Sequence, residues 1–216
     1  DLYDAYLTKA KKSLNENMSM SVLAMITRLR EVCLDPSIFL DDYNEISSKL
    51  TRAIELVSRS LSNHHKVIIF SSFKSCLEHL RKLLKEENIA SYFIHGGITS
   101  LERLNLANSF NNPADEVGVM LVSLKAGGTG LNLIGGDIVI LLDPWWNNAI
   151  EEQAFDRAHR IGQKNNVTVI KLIAKDSIES KIINLQKLKK ELQETFISSK
   201  DKLSTLSLED ISYLLS

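Results

Sequence analysis

Hydrophobic residues change rhythm twice along this chain. Residues 21–33 carry apolar positions at mixed spacings of three and four until Asp35-Pro36 interrupts them. Ile46, Leu50, Ile54, Val57 and Leu61 then continue at spacings of four, four, three and four, one stripe along a single helix face. From residue 64 the pattern turns to short β-branched runs, at 67–70, 92–94, 117–122, 138–142 and 167–173. Such runs read as strands buried on both faces, the signature of a parallel sheet. The stretches 75–87, 101–110 and 149–160 between them are helical in character. Past Lys175 the helical spacing returns, with Ile178, Ile182, Leu185, Leu188, Leu192 and Phe196 in one stripe and Lys181, Lys187, Lys189 and Lys190 on its flank. A last short helix is expected within 206–215, capped by Thr205 or Ser207.

Alternating strands and helices predict an α/β fold, a doubly wound parallel sheet flanked by helices. The expected organisation is a helical segment over 1–63, the α/β lobe over 64–175, and a helix with a tail over 176–216. In such sheets ligands gather beyond the carboxyl ends of the strands. Segments 71–73, 95–97, 123–130 and 143–148 are therefore expected to share one rim.

Composition narrows the class. With 44% hydrophobic residues the chain can bury a substantial core, and its longest central apolar run, 138–142, is far short of the roughly 20 residues of a membrane helix. No secretory signal opens it, so no membrane partner and an intracellular setting are expected. Cys33 and Cys76 sit among apolar neighbours and are expected to be buried, reduced thiols. A net charge of -1 gives no global attraction for a polyanion, which must instead find a local patch. A helical pattern beginning at once from Asp1 reads as an excerpt from a longer protein.

Three segments carry candidate chemistry. In a helix over 149–160, Gln153, Arg157 and Arg160 fall at i, i+4 and i+7, within about 60° of arc, with Ile150, Ala154, Ala158 and Ile161 on another face. Guanidiniums suit phosphate: their rigid forks donate paired hydrogen bonds and keep their charge. The same helix also fits a solvated face on which Glu151, Glu152 and Asp156 pair with the arginines, and spacing alone does not decide. Ser123-Leu-Lys-Ala-Gly-Gly-Thr-Gly130 follows a strand and fits either a phosphate cradle or a tight turn. It is not a Walker loop, since Gly-Lys-Ser/Thr occurs nowhere. The tryptophans of Asp143-Pro-Trp-Trp-Asn-Asn148 fit core packing, stacking on a base or sugar, or a lobe interface, with core packing favoured for one of them. His95 beside Gly96-Gly97 fits a structural role better than a rim role. Neither a Cys/His metal spacing nor a Ser/His/Asp arrangement is present.

Taken together, residues 121–163, LVSLKAGGTGLNLIGGDIVILLDPWWNNAIEEQAFDRAHRIGQ, closely resemble motifs V and VI of the Swi/Snf-type family of DNA-dependent ATPases. The resemblance extends back through 67–73 and 95–103 and forward to 177–182, which looks like the start of that family's brace helix. It implies a RecA-like second motor lobe and, in the full-length protein, ATP hydrolysis coupled to translocation on double-stranded DNA, possession of one lobe leaving this chain inactive alone. Arg157 and Arg160 would be arginine fingers with Gln153 positioning them, and Gly128 and Gly130 would line the nucleotide side. Ser123, Lys125, Ala126 and Gly127 would approach a DNA phosphate backbone, and Trp146 the other strand. ATP and Mg2+ are implied cofactors, magnesium being held by the absent lobe one. The implied partners are DNA, lobe one of the same polypeptide and a DNA-bound protein, in a bacterial cytoplasm by preference or a nucleus. Asn148 stands where the family commonly has proline and Gly136 where alanine is frequent, which implies a less rigid loop. Rival readings are a noncatalytic DNA- or protein-binding module and a flavodoxin-like domain.

Overall fold

The computed structural model describes residues 2–15, 19–43, 45–127, 130–195 and 206–216. They form two compact units, one of Asp1–Glu45, Pro144–Asn148 and Ile173–Ser216, the other of Ile46–Asp143 and Ala149–Leu172.

The second unit is built on five parallel strands, β1 (Val67–Ser71), β2 (Ser91–Ile94), β3 (Val119–Ser123), β4 (Ile138–Leu141) and β5 (Thr168–Lys171), in the order β2-β3-β1-β4-β5. All five expected strands are present. Val67 aligns with Val119 on one side and Ile138 on the other, so the three central strands stand in register. β1 and β3 are buried along their whole length, as expected where helices cover both faces. Ile68, Phe70, Met120, Val122, Val139 and Leu141 point to the face covered by Ala107 and Phe110 and by Ala154 and Ala158. The alternate positions point the other way, where α3 (Ser48–Ser62) and α4 (Lys74–Glu86) lie against β1. Strand order places the topological switch point between β1 and β4, whose onward connections run to opposite edges.

Caps set several boundaries. Ser47 Oγ accepts from Leu50 N and starts α3 at Ser48, two residues after Ile46, which leaves Ile46 half exposed and shortens the expected stripe. Thr99 and Glu102 form a capping box that opens α5 (Ser100–Asn111). The short α6 (Leu124–Gly127) converts half of the expected glycine-rich loop into a helical turn.

The first unit is helical: α1 (Leu2–Asn15), α2 (Ser19–Leu34), α8 (Ile178–Thr195) and α9 (Leu208–Leu215). Val22, Ile26 and Leu29 of α2 pack with Ile178, Ile182 and Leu185 of α8 and with Ile211, Leu214 and Leu215 of α9. Ser207 caps α9, with Asp210 completing a capping box; the rival cap Thr205, and Phe196 of the expected stripe, lie outside the described residues. Leu188 is half exposed, which interrupts the buried stripe on α8 after Leu185; the Leu192 side chain lies outside the described residues. Cys76 is buried and Cys33 partly so, and neither is disulfide-bonded. No helix among the described residues is long and apolar enough to cross a membrane.

Candidate nucleotide and DNA interface

The expected helix over 149–160 stops early. α7 runs Asn148–Phe155, and the chain then turns: Arg157 N and Ala158 N bond back only three residues, to Ala154 O and Phe155 O. Beyond the turn the carbonyls find partners outside a helix. Leu133 N donates to Arg157 O at 2.8 Å, Gln163 N to Arg160 O at 2.9 Å, and Gln163 Nε2 to Ala158 O at 3.2 Å. Gly162, at φ +105°, lets the chain reverse.

This corrects the shared-face argument. Gln153 and Arg160 are exposed, whereas Arg157 is buried at 4% exposure. Ile161, expected on the anchoring face, is fully exposed, while Ala154 and Ala158 are buried as expected. Of the neighbouring acids, Glu151 faces away from the solvated-face arrangement. Glu151 is fully buried and pairs with Lys171 of β5 at 2.5 Å. Among the described residues Arg157 has no carboxylate within ion-pair distance, and its buried Nε has no hydrogen-bond partner. Burial pulls its pKa down, the like charge of Arg160 adds to that, and Asp156 opposes it. The turn therefore holds a buried positive charge beside a second guanidinium, an arrangement that an anion would relieve.

The segment after β3 turns part of its expected contact surface inward. Ser123 is buried at the end of β3 and Ala126 is packed into the core, so both side chains face inward. Any contact to a polyanion from these two positions falls to the main chain. Lys125 and Gly127 lie on α6, while Gly128 and the placement of the Lys125 side chain lie outside the described residues. Gly130 is exposed at φ +59°, with open space around its Cα, which fits close approach of a ligand.

At the switch point lies a group that residue type and spacing did not single out. Asp143, fully buried just past β4, accepts from Ser71 Oγ at 2.5 Å and from Ser72 N at 3.1 Å, tying together the loops after β1 and β4. Lys49 Nζ donates to the neighbouring Leu142 O at 2.9 Å. An acid directly after a buried apolar strand was the available signal. His95 has the structural role: its Nδ1 accepts from Gly97 N at 3.0 Å and its ring leans on Phe93.

In the helical unit, Trp145 and Trp146 stack with ring centroids 4.0 Å apart. Buried Arg30 lies 4.6 Å from the Trp145 ring and 5.3 Å from the Trp146 ring, and it donates to Pro144 O at 3.1 Å. Trp146 is half-buried against the core of that unit, and Gln186 donates to Trp145 O. Much of the tryptophan pair is thus committed to packing.

A parallel sheet wound on both faces, with phosphate-compatible groups beyond its strand ends, defines a RecA-like lobe. Residues 48–162, more than half of the chain, match the helicase conserved C-terminal domain, and the chain belongs to that family. It is 36% identical over 201 residues, 93% of this chain and 19% of the relative, to an uncharacterized ATP-dependent helicase of Mycoplasma pneumoniae. It is 38% identical over 184 residues, 82% of this chain and 17% of the relative, to DNA repair protein RAD5 of Candida albicans. The chain spans about a fifth of the length of the curated relatives it matches. Among solved structures, the Sulfolobus solfataricus SWI2/SNF2 ATPase C-terminal domain superposes with a TM-score of 0.76 at 27% identity, covering 99% of this chain and 90% of that one. The SWI2/SNF2 ATPase core from the same organism, in complex with double-stranded DNA, gives 0.78 at 28% identity, covering 99% of this chain and 46% of that one. The Swi/Snf-type resemblance read from residues 121–163 is borne out.

Proposed function

We propose that this chain is the second motor lobe of an ATP-driven translocase on double-stranded DNA, and that it completes an ATP site whose other half lies on a first lobe. The observation that carries the reading is Arg157, a buried guanidinium with an unpartnered Nε, set beside the exposed Arg160 on a turn tied down by main-chain bonds. A charge left in that state costs stability, and a function that uses it explains why it is kept. Closure of the two lobes would bring the γ-phosphate of ATP to both arginines, with Gln153 helping to position them and Gly128 and Gly130 lining the nucleotide side. The guanidinium N-H groups would donate to its oxygens as charge develops on the transferred phosphoryl group. Magnesium would be held by the first lobe.

DNA would be gripped on its phosphates by main-chain N-H groups of 123–127 together with Lys125, with Trp146 touching the other strand through whatever face its packing leaves open. Reopening after hydrolysis would advance that grip. Alone, the chain would not turn over ATP.

Replacing Arg157 tests the carrying observation. Arg157→Met removes the charge and keeps its volume, so the unfolding temperature of this chain should hold or rise. DNA-stimulated ATP turnover by the full-length protein should fall by about a thousandfold. A lowered unfolding temperature with turnover retained would show instead that Arg157 only supports the fold. DNA binding by the full-length protein that is indifferent to ATP would favour a noncatalytic module.

A further inference from the structure

The arginine turn is held at its far end by one side chain. Gln163 Nε2 donates to Gly136 O at 2.9 Å, to Ile134 O at 3.2 Å and to Ala158 O at 3.2 Å, two N-H bonds serving three carbonyls. Its Oε1 accepts from Asn165 N at 3.0 Å, which fixes the orientation of the amide. Its main-chain N-H closes the turn on Arg160 O at 2.9 Å. Gln163 thus bonds to Ala158, next to Arg157, and to Arg160 itself. Through 134 and 136 it fastens both to the segment whose Leu133 N-H holds Arg157 O.

Resting on the reading of Arg157 and Arg160 as fingers, we infer that Gln163 is a positioning residue for them: its amide sets where the two guanidiniums stand when the nucleotide arrives. Only glutamine meets the demands of the site. Glutamate would set a carboxylate against three carbonyls, leucine would leave all three unpaired, and asparagine is one methylene short. The arginines act on charge that develops in the transition state, so misplacing them lowers turnover rather than nucleotide affinity.

The experiment uses the full-length protein with saturating double-stranded DNA. Gln163→Leu and Gln163→Glu should lower kcat about tenfold to a hundredfold, the scale of an ångström-sized misplacement, with KM for ATP changed by less than about threefold. Binding of ADP should match the parent protein, while the extra affinity gained when aluminium fluoride joins ADP should be lost. Asn111→Ala separates positioning from general support. Asn111 braces the same segment through Asn132 O and Gly135 N, both at 2.8 Å, without a bond to the arginine turn. It should lower the unfolding temperature and leave kcat within about threefold. A kcat loss in Asn111→Ala equal to that of Gln163→Leu, or Gln163 variants at parental kcat, would overturn the inference. If Arg160→Ala also turned over ATP normally, the finger reading itself would fall; if only the Gln163 variants did, the fingers stand and the positioning role falls.

Discussion

Ile68 reaches so close to Gly136 that a methyl group there would sit 2.7 Å from its Cγ1 and 2.8 Å from its Cδ1, with Phe110 Cε1 at 3.2 Å. At Gly135 an added Cβ would stand 2.5 Å from Phe110 O. The glycine at 136, expected to loosen its loop, instead admits core side chains to a tightly packed main chain. Gly136→Ala should therefore destabilise the lobe by about 1–3 kcal/mol, read as a lower unfolding temperature. Unchanged stability would mean that Ile68 repacks freely. At this scale the sequence was only partly legible. Residue type and spacing singled out Arg157 and Arg160, but not that one would be buried and the other exposed, because that depends on α7 giving way to a turn after Phe155. Gln163 and Asp143 escaped for a related reason: their partners lie in the segment 134–136 and in the loop after β1, at separations that no local pattern encodes.

Among the elements, strands were the most readable: the apolar runs of β1 and β3 fit burial on both faces, which those strands show, while β5 at the sheet edge is open to solvent. Helix ends were legible where the cap is local, as at Ser207, and illegible at α7, whose following turn is held by Leu133 and Gln163 rather than by a local cap. The start of α9 also carries a pH dependence. Asp210 is opposed by partial burial, yet hydrogen bonds from Lys189 at 2.7 Å and from Ser207 N at 2.8 Å outweigh it and hold its pKa below the usual carboxylate value. Because the folded-state pKa is the lower one, this contribution is complete above the unfolded value of about 3.9 and is lost as pH falls through the folded value. Between pH 6 and pH 3, unfolding temperature should fall less steeply for Asp210→Asn than for the parent chain. Equal slopes would show that the pair with Lys189 adds nothing. Ser207→Ala should cost about 1 kcal/mol at neutral pH by removing the cap on Asp210 N.

For the whole molecule, what could be read from sequence was the kind of lobe; its proposed chemistry depends on a surface it does not own. The sheet, the switch point at Asp143 and the arginine turn belong to one compact unit, while the tryptophan pair and the α8 helix belong to the other. In the proposed mechanism, ATP hydrolysis is a property of two lobes closing on one nucleotide, and the half supplied by this chain is a pair of guanidiniums. The most direct measurement is DNA-stimulated ATP hydrolysis by the full-length protein carrying Arg160→Ala, under single-turnover conditions with ATP binding measured in parallel. If the arginines are fingers, the rate falls by about a thousandfold or more while ATP is still bound. Hydrolysis at the parental rate would contradict that role.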